Sequence, residues 1–323
     1  MLKRSAFTMI ELIFVIVIMG IIGKFGVEFL LEAYKSFIFS KVNHELQATS
    51  GAAVELIAAK LQHRIKDSVI ARTGVPPAAP VSIGSVSGNN YTVLEWVGTD
   101  YEGFRGNANT SPSLPNWSGI LDLNNTNATN AILISPETNT TAINSMILNL
   151  SDTNSSINNA ALFFIGANSN AVTDYGWDGS LVLINAQQGA MHPITSVTGI
   201  GNENRFAPAV GTANFTGIDV YEYYKLAWTA YAIVYEAGAD NLGTLRLYWD
   251  YQPWNDRDGD TNADQFNTPG IQVKSAIIME NVSTFQFTSI GDIIKIQVCT
   301  KSTIINGQND GDGYSLCKEK TIF

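Results

Sequence analysis

The chain has 323 residues, of which 45% are hydrophobic and 15% charged, and its formal net charge is -10 at pH 7. This length provides for an N-terminal anchor plus one large or two small globular domains. The negative charge disfavours a nucleic-acid partner, because phosphate binding needs clustered Lys and Arg. The content of 15 Phe, 12 Tyr and 6 Trp argues against disorder along the whole chain.

The N-terminus combines a basic leader with an apolar run. Residues 1–6 read MLKRSA, and residues 7–31 read FTMIELIFVIVIMGIIGKFGVEFLL. About 20 apolar residues span a bilayer, and the leading Lys3 and Arg4 predict a cytoplasmic N-terminus. A cleaved secretory signal starts similarly, but this run is too long and no small-x-small site follows it. We therefore predict a single-pass inner-membrane anchor at residues 7–32, with the C-terminal domain on the periplasmic side.

Glu11 places a carboxylate near the start of the apolar run. An unpaired carboxylate in a membrane-spanning helix is costly, so such a residue is expected to be functional. Lys24 and Glu28 stand four residues apart and are expected to pair on one helix face. Gly20, Gly23 and Gly26 favour either close packing between helices or local melting, and the sequence leaves both open.

The helical pattern continues beyond the anchor, from Ala33 to about Ser68, and becomes amphipathic. Gly74 and the two prolines that follow end it. We assign residues 33–73 to this amphipathic half, which predicts a single helix of about 65 residues, or roughly 95 Å at 1.5 Å per residue. The apolar positions at helical spacing are Val42, Leu46, Ala53, Leu56, Ile57, Leu61, Ile65 and Val69.

The remainder, residues 74–323, is predicted to be a globular β-rich domain. Residues 106–159 form an insertion rich in Asn, Thr and Ser, for which we predict loops and short strands. A hairpin is expected across Ala237 to Gly243. The fold class is therefore α+β, a long helix packed on a mainly antiparallel sheet. The strand-like runs are Tyr91–Val97, Leu181–Asn185, Lys225–Glu236, Thr244–Tyr251, Gln272–Met279, Ser283–Phe287, Ile293–Thr300 and Ser315–Ile322.

Cys299 and Cys317 are the two cysteines of the chain. Outside the cytoplasm such a pair usually forms a disulfide, and closing this loop stabilises a fold by roughly 3 kcal/mol in the chain-entropy model. The alternative is a pair of buried thiols.

Residues 255–264 read NDRDGDTNAD, so that oxygen-bearing side chains occupy every second position from 256 to 264. Calcium takes six to eight oxygen ligands, and carboxylates this close together repel one another without a cation. The match to an EF-hand loop is imperfect, because Gly259 falls at the fourth place and no Glu closes the set. The alternatives are a calcium site and a solvated acidic turn. The candidate ligands are Asp256, Asp258, Asp260, Asn262 and Asp264.

No G-x-S-x-G, H-E-x-x-H or phosphate-binding Gly loop occurs in the sequence. A non-enzymatic role is therefore predicted, with a membrane-anchored periplasmic enzyme as the main rival. A filament-tip adhesin is the third possibility, with the insertion 106–159 meeting a surface or a sugar. In that case Trp117, Trp177 and Trp254 are the candidate contacts, although a core position is the usual one for Trp.

The N-terminus resembles the class III signal of type IV pilins and type II secretion pseudopilins. The matching residues are Lys3 and Arg4 of the leader, then the hexapeptide FTMIEL from Phe7, then the long apolar run. The resemblance implies that a prepilin peptidase cuts between Ala6 and Phe7 and methylates the new terminus. Here Ala6 stands where the family usually has Gly. It also implies that Glu11 pairs with the methylated amine of a neighbouring subunit, which sets the register of assembly.

The region from the predicted hairpin to Val298 is similar to the C-terminal half of J-type minor pseudopilins and their pilus counterparts. A Pro is common in pilins where this chain has Glu28, and its absence argues against a standard major pilin. The resemblance implies a pilin-like fold and a structural subunit of a type IV pilus or a type II secretion pseudopilus. The implied partners are the peptidase, other pilin or pseudopilin subunits and the inner-membrane assembly platform. The implied final location is a periplasmic pseudopilus or a cell-surface pilus.

Overall fold

The computed structural model describes most of the chain. Helix α1 spans Met9–Leu61, α2 spans Tyr101–Arg105 and α3 spans Thr140–Leu150. The described ranges are 8–74, 78–86, 90–106, 114–127, 131–182, 190–209, 214–238, 242–302, 304–305, 308–309 and 315–323. The strands within them are β1 Ile70–Arg72, β2 Val81–Ser82, β3 Val93–Gly98, β4 Leu133–Ile134, β5 Ala161–Phe164, β6 Met191–Ser196, β7 Arg205–Pro208, β8 Tyr224–Ala227, β9 Thr229–Ala237, β10 Gly243–Tyr251, β11 Lys274–Ile290, β12 Ile293–Lys301, β13 Ile304–Ile305, β14 Gln308–Asn309 and β15 Ser315–Ile322.

Helix α1 has 53 residues and ends at Leu61, so the predicted extension of the helix to residue 73 is wrong. Beyond Leu61 the backbone bonds to strand β3 instead of continuing the helical ladder. The amide of Ile65 donates to the carbonyl of Val97, and the carbonyl of His63 accepts from Thr99. Strand β1 then pairs with β3, with Ile70 opposite Glu95, Ala71 opposite Leu94 and Arg72 opposite Val93.

The C-terminal third of α1 packs on the large sheet through one narrow stripe. Its buried residues are Ser50, Ala53, Val54, Ile57, Ala58 and Leu61. Leu56, which the sequence pattern placed on the same face, is 42% exposed. The side chains of Ile57 and Leu56 diverge because neighbouring positions on a helix point about 100° apart.

The large sheet has eight strands in the order β15-β12-β11-β10-β9-β3-β1-β2, and neighbouring strands are antiparallel. A helix and a mainly antiparallel sheet confirm the α+β class. The predicted β9–β10 hairpin is present, with Gly243 opposite Ala237. The two runs predicted between Gln272 and Phe287 form one strand, β11, which has an irregular register near Val282 and a positive φ at Asn281.

Both faces of the large sheet are buried, since successive side chains of a strand point to opposite faces. Leu94 and Trp96 of β3 pack towards α1, whereas Val93 and Val97 pack on the other face. That second face is covered by aromatic residues from the long loops, which include Trp177 and Trp254.

A smaller sheet of five antiparallel strands, β4-β7-β6-β5-β8, forms a second core with helix α3. The prediction that 106–159 holds only loops and short strands is therefore wrong, because α3 lies inside it. Asn139 caps α3 by accepting the amide of Ala142 at 3.0 Å, and Ile143 and Ile147 are buried against the small sheet. Trp117 also belongs to this core, so the three candidate contact tryptophans are all buried.

The predicted run Lys225–Glu236 is divided between the two sheets. Strand β8 pairs with β5 in the small sheet, and β9 begins two residues after β8 ends and pairs with β3 in the large one. The crossing occurs at Trp228, which is 4% exposed. Leu181 and Val182 lie outside any strand, and the rest of that predicted run lies outside the described residues.

Cys299 and Cys317 form the predicted disulfide. The two residues stand directly opposite each other on β12 and β15, with Cα atoms 4.0 Å apart. The disulfide therefore links the edge strand β15 covalently to its neighbour β12 in the large sheet.

Candidate functional site in the stem and the acidic loop

The first part of α1, Met9–Phe39, projects from the globular domain, and we call it the stem. Its large apolar side chains between Met9 and Leu31 are exposed, from 42% for Ile18 to 82% for Met9. Helix α1 is long and apolar enough to cross a membrane. The stem has about 31 residues and measures about 46 Å, which exceeds the roughly 30 Å of hydrocarbon in a bilayer.

Glu11 and Thr8 form a capping box at the N-terminus of the stem. The Glu11 carboxylate accepts the backbone amide of Thr8 at 3.0 Å and the Thr8 hydroxyl at 2.9 Å. In return, the Thr8 hydroxyl oxygen accepts the amide of Glu11 at 3.4 Å. These bonds occupy backbone donors that a helix start otherwise leaves unpaired. The Thr-x-x-Glu spacing is a recognised sequence signature of a helix start, and it identifies Thr8 as a residue that the sequence reasoning above missed.

Glu11 is exposed and takes part in no ion pair within the described part of the chain. The predicted pair of Lys24 and Glu28 is present at 3.8 Å, so Lys24 already has a carboxylate partner on its own helix. Ala6 and Phe7, the predicted processing residues, lie outside the described residues. A cation for Glu11 would therefore have to come from beyond the stem described here.

Residues 255–264 form a loop on the globular domain, and we call it the acidic loop. One carboxylate oxygen from each of Asp256, Asp258 and Asp260 lies within 4.8 Å of the other two. Asp256 is half-buried, and the other two are exposed. Backbone amides hold these carboxylates in place, for example Gly259 at 2.6 Å and Thr261 at 2.9 Å from Asp256 oxygens. The structure therefore brings together three of the five predicted ligands.

The other two predicted ligands have different surroundings. Asn262 bonds through its amide nitrogen to Asp260 Oδ2 at 3.1 Å. Asp264 is 1% exposed and lies at the base of the loop, where its Oδ2 accepts the amide of Arg257 at 3.1 Å. Its Oδ1 has no hydrogen-bond partner among the described residues. Burial first, and the charges of Asp258 and Asp256 in addition, raise the pKa of Asp264 to about 7.

Arg257 is the one cation inside the loop sequence, and the hydrogen bonds of its guanidinium go to neutral oxygens. Its Nη1 donates to Gln252 Oε1 at 3.2 Å, and its Nη2 donates to the carbonyl and the side-chain oxygen of Asn154, both at 2.9 Å. No ion pair within 4 Å joins Arg257 to a carboxylate among the described residues. Arg257 thus anchors the loop to the segment after α3.

Comparison with family models, with curated proteins and with solved structures finds no match to this chain.

Proposed function

We propose that this chain is a minor pilin-like or pseudopilin subunit of a type IV pilus or a type II secretion pseudopilus. The observation that carries the proposal is the stem, an exposed apolar helix with a lone carboxylate near its start. The resemblance of residues 1–12 to a class III signal and the antiparallel domain that follows the helix support it.

The stem suits two successive environments. Before assembly, its apolar surface lies in the inner membrane with the globular domain on the periplasmic side. In a filament, the same surface packs against the stems of neighbouring subunits, where lipid is replaced by other apolar side chains. The partners at these two stages are the prepilin peptidase and the assembly platform, then other pilin or pseudopilin subunits.

In this proposal, Glu11 sets the axial position of each incoming subunit in the filament. After cleavage between Ala6 and Phe7, the new amine of a neighbouring subunit offers the cation that Glu11 lacks. A carboxylate buried among apolar stems without that cation costs several kcal/mol, so only one axial position of the incoming subunit is favourable.

The capping box allows the charge of Glu11 to be tested apart from its role at the helix start. Glu11→Gln keeps an oxygen acceptor for the Thr8 amide but removes the charge. We expect Glu11→Gln to insert in the membrane normally and to be lost from sheared filaments or purified secretion complexes. Glu32→Gln is the matched control, since it neutralises another exposed acid of the stem that takes part in no ion pair among the described residues, and it should assemble like the wild type.

Normal incorporation of Glu11→Gln would overturn the register role. Intact-mass analysis of the protein from cells tests processing independently, because loss of residues 1–6 and gain of one methyl group are expected. A full-length, unmethylated chain in assembled material would contradict the proposal as a whole.

A further inference from the structure

The first half of strand β11 forms an edge of the large sheet. Its residues 275–281 face β10 on one side, and on the other side β12 begins to pair only at Val282, opposite Thr300. No other described strand takes the position beside residues 275–281, since β13 and β14 pair only with each other. Backbone N–H and C=O groups on that side therefore have no ladder partner among the described strands, and such an edge is a template for a further strand.

This edge lacks the usual protection against pairing. Residues 275–281 read SAIIMEN and contain no Pro or Lys, the residues that commonly prevent a further strand from adding to an edge. Ile277 is 49% exposed. The edge strand β15 differs, because it carries Lys318 and Lys320 and packs on α1, where Lys320 donates to Glu55 at 2.6 Å.

A groove of about 570 Å³ lies between the β11 edge and α1. Its lining includes the five consecutive residues 277–281 and, from α1, Val42, Leu46 and Thr49. Consecutive side chains of a strand point to opposite faces, so a groove lined by five in a row follows the strand backbone and not one face of the sheet. An accessible strand edge takes up extended peptides by strand addition, in which main-chain hydrogen bonds give affinity and side-chain contacts give specificity.

The charges along the groove favour a cationic occupant. Glu45 of α1 and Glu280 of β11 line it, and neither takes part in an ion pair among the described residues. Lys301 is the one cation among the described residues that line the groove, and the whole chain has a formal net charge of -10. Between the acids, Val42 and Ile277 offer apolar surface. A strand that alternates apolar residues with Lys or Arg complements both features.

We propose that this groove binds an extended, basic segment of a partner protein, which adds to the edge of β11 as a further strand. The added strand has to accommodate the register shift of β11 at Ile278, which is the extra residue opposite Leu245 and Arg246. A second copy of this chain fits less well. Two β11 edges paired with each other would bring both Glu280 carboxylates into one interface, where like charges repel.

The experiment compares two blocked, fluorescently labelled octapeptides, one alternating Val with Lys and the other alternating Val with Glu. Their binding to the detergent-solubilised full chain is measured by fluorescence anisotropy. The Val-Lys peptide should bind about tenfold more tightly, and its affinity should fall as salt rises. Hydrogen exchange of amides within residues 275–281 should slow in the complex, because strand addition gives them hydrogen-bond partners. Equal affinities for the two peptides, or binding without this protection, would overturn the proposal.

Variants locate the site on the molecule. Ile277→Lys places a cation on the open edge and should weaken binding of the Val-Lys peptide about tenfold. Ile290→Lys is the matched control, because Ile290 is 82% exposed on the same strand but pairs with Ile293 of β12. It should bind the peptide like the wild type. Replacing Glu45 and Glu280 together by Gln should reduce both the affinity and its dependence on salt.

Two outcomes would contradict the assignment. Wild-type affinity in Ile277→Lys would place the peptide elsewhere on the chain. Sedimentation of the wild type without peptide tests the alternative occupant. Concentration-dependent dimers that Ile277→Lys abolishes would make a second copy the occupant of the groove, in place of a basic partner segment.

Discussion

The guanidinium of Arg72 in β1 and the carboxylate of Glu95 in β3 form an ion pair inside the domain, with Nε 2.6 Å from Oε1. Their side chains are 6% and 0% exposed. Arg72 also donates to the carbonyl of Trp177 at 2.8 Å, and Glu95 accepts the hydroxyl of Tyr251 at 3.1 Å. This network joins two strands of the large sheet to the loop that covers it.

We expect Arg72→Met to lower the free energy of unfolding by about 3–5 kcal/mol, because it leaves the Glu95 carboxylate buried without a cation. Denaturant unfolding of the full chain in detergent measures the loss. Lys320→Met is the control, since Lys320 pairs with Glu55 at 2.6 Å on the surface, where a pair is worth at most about 1 kcal/mol. Equal losses for the two variants would contradict the distinction between the buried and the exposed pair.

Ile57→Ala should cost about 2–5 kcal/mol, because Ile57 is 1% exposed between α1 and the large sheet. Leu56→Ala should change the free energy of unfolding by no more than about 0.5 kcal/mol, since Leu56 lies on the outer side of the helix. The same unfolding measurement compares the two adjacent residues. A larger loss for Leu56→Ala would mean that the helix docks through a different face.

Stability should fall as pH rises towards neutrality because of Asp100, which is 1% exposed at the start of α2. Burial raises its pKa to about 7, against 3.8 for the ordinary group, and the bonds from Gly103 and Trp117 offset this only in part. Between these values the folded state holds the proton more tightly than the unfolded state. The stabilising contribution is therefore complete below about pH 4 and is lost as pH rises through 7.

Asp100→Asn removes the titrating proton while it keeps an oxygen for the Gly103 amide. The slope of stability against pH between 4 and 7 should be smaller in this variant than in the wild type. Chemical unfolding at a series of pH values measures both slopes. Identical slopes would show that Asp100 does not carry this pH dependence.

Elements with a strong local pattern were predictable from the sequence. The β9–β10 hairpin follows from two runs of aromatic and β-branched residues around a Gly and Asp-Asn turn, and β15 was placed at Ser315–Ile322, as found. The disulfide prediction followed from the two cysteines and the predicted membrane topology. Helix α3 was missed although Asn139 and the spacing of Ile143, Ile147 and Leu150 indicate it, because the polar composition around it dominated the interpretation.

In the candidate site, the sequence placed Glu11 in an apolar helix and put four carboxylates on one loop, of which the structure groups three. It did not distinguish Asp264 from the other acids of that loop. The burial of Asp264 comes from the packing of distant segments around the loop base, and alternation along the chain carries no information about that packing.

By itself, the sequence determined that an apolar helix with one early carboxylate precedes an antiparallel β domain, because these properties depend on residue periodicity over short distances. The tertiary structure decided where that helix ends, that the chain changes sheets at Trp228, and that Ile57 rather than Leu56 meets the sheet. Each of these depends on which distant backbone donors, acceptors and apolar surfaces come together. Which of these long-range contacts form depends on their relative free energies, and local propensity does not determine them.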